Sequence, residues 1–169
     1  MLKNTAGRLF GDLCERTLLE KADEGHWSAE AWGAVQDAGL VDVIEPAGDG
    51  QALLPLSTLA VIVHALVEFA VPLPVAEMLL AQLQLALAGL DIPKGPLTVA
   101  PCGGGVRLEC VDGAWHLSGL LQRVPWGRSA RAVVLEPLPE EGQLHAPAFI
   151  RSGEPSIFPD GGEVRRDRS

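Results

Sequence analysis

PLTVAPCGGGVRLECVDGAWHLSGLLQRVPWGRSARAVVLEP, residues 96–137, is the stretch that decides the fold. Its runs of β-branched and apolar residues are separated by turn residues, which predicts strands at 97–99, 106–110, 115–117 and 132–135. Asp112-Gly113 falls between two of these runs. A two-residue hairpin turn needs positive φ, which Gly adopts freely and Asp tolerates, so this pair predicts a β-hairpin.

The run Cys102-Gly103-Gly104-Gly105 follows the first predicted strand and has no side chain beyond the cysteine. A ligand is one candidate for the space beside such a backbone, because glycine allows close approach. The alternative is that these glycines only make turns. The run is not a dinucleotide-binding fingerprint, because it leads into another strand and not into a helix whose N-terminus would hold a pyrophosphate.

The residues before this stretch follow helical periodicity. Apolar residues at helical spacing predict four helices, at about 9–22, 28–38, 56–70 and 74–88. Ser28 is expected to be the N-cap of the second helix, Gly39 to end it, and Trp32 to be a core anchor. The fourth helix is apolar nearly all round, so it is expected to be buried on most sides.

These patterns together predict an α+β protein. We expect an N-terminal helical domain at 1–92, a small antiparallel β-domain at 96–150, and a disordered tail at 151–169, where few residues are suited to burial. The alternative is a single layered domain in which the helices pack directly over the sheet.

Charge and cysteine content restrict the classes of function. The net charge is −9, and the first 50 residues hold ten acidic and four basic residues, so nucleic acid is not an expected partner. The last 74 residues hold eight arginines and nine acidic residues, so a ligand with phosphate groups is tolerated best there. Three cysteines without a Cys-x-x-Cys pair indicate free thiols in a reducing compartment. We find no secretory signal and no membrane span in the sequence, and expect a cytoplasmic protein.

Two other groupings were weighed as chemical sites. His64 and Glu68 are four residues apart and share one helix face, which suits a polar edge better than a metal site, because no nearby His or Cys completes a ligand set. Cys102 has no basic partner at a fixed spacing, so the sequence does not support a nucleophile there. No residue is assigned as catalytic or as a metal ligand.

Two ordered sets of residues carry a family resemblance. In the β-half they are Leu97-Thr98-Val99-Ala100-Pro101, the glycine run, Asp112-Gly113, Leu117-Ser118-Gly119, Val124-Pro125-Trp126-Gly127-Arg128, Ala130 and Val133-Val134-Leu135. In the helical half they are Trp32, Gly39-Leu40, Glu45-Pro46, Gly48, Gly50, Pro72-Leu73-Pro74 and Glu77. In this order they resemble the N-terminal helical domain and middle β-domain of the flavin-dependent acyl-CoA dehydrogenases, over most of residues 27–136.

The resemblance implies FAD as cofactor and an acyl-CoA as substrate. In that family the isoalloxazine lies against the β-domain, and a glutamate from a later helical domain removes the α-proton while the flavin takes the β-hydride. The positions of this chain that match the flavin-side segments are Val99, Ala100, Gly104, Gly105, Val124, Pro125 and Trp126. The family's usual hydroxyls fall on Val99 and Pro125, and its flavin-side aromatic residue falls on Arg123.

The chain ends before the C-terminal helical bundle, which in that family carries the catalytic glutamate and the core of the tetramer. One hypothesis is therefore an acyl-CoA dehydrogenase-like component that oxidises an acyl-CoA when a homo-oligomer or a partner chain supplies a helical domain. The other is a binding or interaction module, or a truncated relic, that keeps the fold without the chemistry. In either case the apolar helix at 74–88 predicts self-association or a partner.

Overall fold

The computed structural model describes residues 2–44, 56–102, 106–111, 114–121, 123–137, 148–151 and 154–156. Within these ranges five helices precede six strands. The helices are α1 (Leu2–Leu13), α2 (Arg16–Asp23), α3 (Ala29–Asp37), α4 (Leu56–Glu68) and α5 (Val75–Leu87). The strands are β1 (Leu97–Cys102), β2 (Val106–Val111), β3 (Ala114–Gly119), β4 (Ala132–Pro137), β5 (Ala148–Arg151) and β6 (Glu154–Ser156). The α+β fold class is confirmed.

The helix predicted at 9–22 is in fact two helices, α1 and α2. Glu15 has φ −68° and ψ 152°, an extended conformation that separates them. In one continuous helix Leu13 and Leu18 would lie about 140° apart around the axis. Both side chains instead pack against the core, because the break lets each short helix turn its own apolar side inward. The prediction of four helices in this half is therefore wrong by one.

Helix α3 begins and ends as predicted. Ser28 is its N-cap, and the Ser28 Oγ accepts a hydrogen bond from the backbone N–H of Ala31 at 3.2 Å. Gly39 follows the helix with φ 66°, and the N–H of Leu40 donates to the Val35 carbonyl at 3.2 Å. This is the Schellman arrangement, in which a left-handed residue closes the last turn. Trp32 is buried in the core, as expected of an anchor.

The larger sheet is mixed, which corrects the prediction of an antiparallel β-domain. Its strand order is β1-β4-β5-β6, and β1 pairs with β4 in parallel, with Leu97 opposite Ala132. The β4-β5 and β5-β6 pairs are antiparallel. The cause is the connection, because β2 and β3 intervene as a separate antiparallel hairpin and leave β4 free to run in the direction of β1. That hairpin, with Val111 opposite Ala114, confirms the one predicted at Asp112-Gly113.

Strand β6 lies inside the segment that was predicted to be a disordered tail. Residues 154–156 pair with 149–151 of β5. Edge strands are held by backbone hydrogen bonds, so a segment with few apolar side chains can still add to a sheet. Residues 157–169 lie outside the described ranges.

A shared apolar core joins the helices to the sheet. It includes Phe10, Trp32, Ile62, Met78, Leu85, Leu97, Ala132 and Val134. Helix α5 packs against β1, and the Leu97 N–H points at the Met78 sulfur at 3.3 Å. The seven buried residues of α5 agree with the expectation that most of this helix is covered. The division into domains at 92–96 stays a prediction.

The longest helices that the structure describes have 13 residues. A bilayer core needs about 20 apolar residues in a helix. In the described part of the chain, therefore, no helix could cross a membrane.

Candidate functional site

The residues that connect the hairpin to β4 are attached to β1 at two points. We call residues 123–131 the strap. The Thr98 Oγ1 of β1 donates a hydrogen bond to the Pro125 carbonyl at 2.7 Å, and the Arg131 N–H donates to the Pro96 carbonyl at 2.7 Å. Thr98 is fully buried, so its hydroxyl meets the strap in a place protected from water. A buried hydroxyl needs such a partner, because desolvation without a hydrogen bond is unfavourable.

The strap has a tight and strained backbone. Arg123 and Trp126 have φ 56° and 54°, in the left-handed region that side chains other than Gly disfavour. The Trp126 carbonyl accepts hydrogen bonds from the N–H groups of Ser129 at 2.8 Å and Ala130 at 2.9 Å. At Gly127 an added Cβ would lie 3.2 Å from the Val124 Cγ1. Strain of this kind persists only where surrounding contacts hold it, and it is often found at ligand sites.

The Trp126 ring ties the strap to the helical half. It lies edge-on to Trp27 with ring centroids 6.1 Å apart, and Trp27 is tilted against Trp32 with centroids 5.6 Å apart. Trp32 is a core residue, so the three rings form a chain from the core to the strap. Edge-to-face aromatic pairs of this geometry contribute about 0.5–1.5 kcal/mol beyond burial.

The structure brings the two predicted flavin-side segments together, but not all of their side chains. Side chains alternate along a strand, so Ala100 shares the face of Thr98, while Val99 faces the other way and packs against the core. On the strap, Pro125 is exposed, and Val124 and Trp126 are half-buried. Gly104 and Gly105 lie outside the described residues.

Sequence reasoning missed two residues that shape this site, Thr98 and Trp27. A signal for Thr98 was present, because a lone hydroxyl in the apolar strand Leu97–Cys102 must find a partner if it is buried. No pattern in the sequence pairs Trp27 with Trp126, because the two are 99 positions apart and belong to different halves of the chain.

Other parts of the described chain offer less chemistry. No group of three or more His, Cys, Asp or Glu side chains suited to a metal ion occurs among the described residues. Open clefts of about 370 and 340 Å³ lie on the helical half, one along α1 and the other between α1, α2 and α3. Neither cleft includes a predicted flavin-side residue. Burial raises the pKa of the Cys14 thiol, which makes it less reactive than a free cysteine.

The His64–Glu68 pair has the features of a polar edge. The His64 Nδ1 and a Glu68 carboxylate oxygen are 3.8 Å apart, and both side chains are more than half exposed. An exposed pair of this kind contributes little to stability.

The comparisons with known proteins support the fold. No family model matches the sequence, and no curated protein matches it. Among solved structures, a variant of the steroid ACAD (acyl-CoA dehydrogenase) Tcur3481-Tcur3483 superposes with a TM-score of 0.64 and 22% sequence identity. The match covers 89% of this chain and 47% of that chain, so this chain spans about half the length of the structure it resembles. Over that length, it has the fold of an acyl-CoA dehydrogenase.

Proposed function

We propose that this chain is a component of an acyl-CoA dehydrogenase-like flavoprotein. In this proposal the isoalloxazine of FAD lies against the face that β1 and the strap form together. The observation that carries the proposal is the Thr98–Pro125 hydrogen bond of 2.7 Å, because it joins the two segments that the family resemblance assigns to the flavin. Support for the fold comes from the steroid ACAD that superposes on 89% of the chain.

The residues of this face suit a flat aromatic ring. Ala100 is small, Val124 and Pro125 are apolar, and the left-handed turn at Trp126 leaves backbone groups near the strap surface. Val99 and Pro125 stand where the family has hydroxyls, so the polar edge of a flavin would be met here by backbone N–H and C=O groups. Thr98 is then a positioning residue, because it holds the Pro125 carbonyl without facing the flavin itself.

The chemistry that FAD supplies when bound is hydride acceptance, which in this family oxidises the Cα–Cβ bond of an acyl-CoA. The contribution of this chain is to bind and orient the ring and to keep water from one side of it. We assign the base that removes the α-proton to another polypeptide or another copy, because no residue here matches it. The name of the structural neighbour pairs two designations, Tcur3481 and Tcur3483, and that chain is about twice as long as the match, which is consistent with a partner that adds a helical part.

A second candidate function is a non-catalytic interaction module with the same fold. The observation that favours it is Trp126, whose ring lies against Trp27 of the helical half and so is engaged away from a ligand. In that case the strap serves only to join the two halves of the chain.

Reconstitution with FAD separates the two candidates. The purified chain is incubated with excess FAD, and free FAD is removed by gel filtration. We expect a yellow protein with flavin absorption bands that move with the protein peak. A colourless protein after this treatment would overturn the flavoprotein proposal and leave the interaction module.

A further inference from the structure

Four basic side chains lie on the strap and on the loop before β1. They are Lys94, Arg123, Arg128 and Arg131, and we call them the basic patch. All four are exposed. Arg131 lies along the backbone next to Lys94, since a Cβ added at Gly95 would be 3.1 Å from the Arg131 Cδ. The Arg131 N–H also donates to the Pro96 carbonyl, which fixes the end of the strap beside this loop.

The basic patch has no neutralising acid near it in the sequence of the strap. No Asp or Glu occurs between Asp112 and Glu136. Among the residues that the structure describes, the ion pairs are Arg16–Glu20, Glu24–His26 and His64–Glu68, and none of the four patch residues takes part in one. The charge of the patch is therefore available to a ligand, on a chain whose net charge is −9.

The composition of the patch favours phosphate over other anions. Three of the four residues are arginines, and the planar guanidinium donates two parallel hydrogen bonds to phosphate oxygens. Arg128 and Arg131 flank Ser129, a half-buried residue that adds a hydroxyl donor. The Trp126 carbonyl ties down Ser129 and Ala130, so the backbone between the two arginines is ordered before a ligand arrives.

We propose that the basic patch binds the diphosphate of a nucleotide ligand. The identity of that nucleotide rests on the proposed function, in which FAD and an acyl-CoA both carry a diphosphate. The charge and geometry of the patch are common to both sources, and binding of pyrophosphate itself does not depend on a flavin.

The test is calorimetric titration of the full chain with inorganic pyrophosphate at low and at high salt. Arg128→Gln and Arg131→Gln each remove one guanidinium, and Arg16→Gln on α2 is the matched control, because Arg16 is also exposed but lies outside the patch. We expect saturable binding that weakens about two- to fivefold with each patch substitution, as exposed charge pairs do. Salt should weaken it further, and Arg16→Gln should leave it unchanged. Thermal melting of each variant confirms that it is folded.

The other outcomes each decide the question. Absence of pyrophosphate binding, or equal weakening by Arg16→Gln, overturns the patch as a phosphate site even if FAD is retained. Pyrophosphate binding without FAD retention supports the patch and removes the flavoprotein proposal. Competition by CoA but not by FAD, or the reverse, identifies the nucleotide. Saturation only by an acidic polypeptide, with no response to pyrophosphate, would mean that the patch is a protein-docking surface and would overturn the proposal.

Discussion

The residue that follows a helix shows how backbone strain is distributed in this chain. Gly25, Gly39 and Gly89 follow α2, α3 and α5 with positive φ, whereas Ala70 takes the corresponding place after α4 with φ 49°. The same pair of backbone hydrogen bonds closes α4, from Val71 to the Leu66 carbonyl at 3.0 Å and from Ala70 to the Val67 carbonyl at 3.2 Å. Ala70 therefore carries a strain that glycine avoids at the other three ends.

Exchange of these residues should move stability in opposite directions. Ala70→Gly is expected to raise the free energy of unfolding by about 0.5–1 kcal/mol, because relief of the left-handed strain exceeds the added entropy of the unfolded chain. Gly39→Ala should lower it by about 1 kcal/mol, since nothing lies within 4 Å of the added Cβ and only the backbone conformation opposes it. Urea denaturation followed by circular dichroism measures both. A destabilising Ala70→Gly would contradict the helix end described here.

At the same scale, the sequence was most informative where one residue has one local task. Ser28, Gly39 and Trp32 were predictable because a cap, a left-handed residue and a large apolar ring are each specified by short-range spacing. The contact between Thr98 and Pro125 joins residues that are 27 positions apart, and spacing carries no information about it.

The break between α1 and α2 is the element that periodicity did not reveal. Leu9, Leu13 and Leu18 fit one helix approximately, and no Gly or Pro marks the interruption. The parallel pairing of β1 and β4 was missed for a related reason. Each strand is recognisable from its own run, but its partner and direction depend on where the intervening hairpin lies.

A proline at position 16 tests this break directly. Arg16 is the first residue of α2 and follows the extended Glu15, so Arg16→Pro should change the free energy of unfolding by less than about 0.5 kcal/mol. Lys21→Pro, in the body of α2, should cost about 3 kcal/mol. Urea midpoints of the two variants measure the difference. If Arg16→Pro proves as costly as Lys21→Pro, residues 9–22 form a continuous helix after all.

For the whole molecule, the open question is what covers the outer face of α5. Ala76, Leu80, Leu83 and Leu87 recur at helical spacing, and Leu80 and Leu87 remain 41% and 60% exposed. Most of α5 is buried, so the exposed apolar area is smaller than the sequence alone suggested. Apolar faces of this kind still occur mainly at protein–protein contacts, and self-association through this face stays our prediction.

Charge on this face should abolish the association. The double variant Leu80→Glu with Leu87→Glu is expected to sediment as a monomer of 17.9 kDa, whereas the unaltered chain forms a larger species at micromolar concentration. Leu120→Glu is the matched control, because Leu120 is 70% exposed and lies outside the helices, and it should leave the association intact. A monomeric unaltered chain would remove α5 as a contact surface.

The central claim for the whole molecule is that β1 and the strap form one flavin-binding face held together by Thr98. The most direct test is the dissociation constant of FAD, measured from flavin fluorescence for the unaltered chain, Thr98→Val and Thr17→Val. Thr17 is an exposed threonine of α2 and serves as the control. The account predicts saturable binding that Thr98→Val weakens about fivefold, from the loss of one hydrogen bond of about 1 kcal/mol, and that Thr17→Val leaves unchanged. Equal affinity for the Thr98→Val variant and the unaltered chain, or no saturable binding by either, would contradict it.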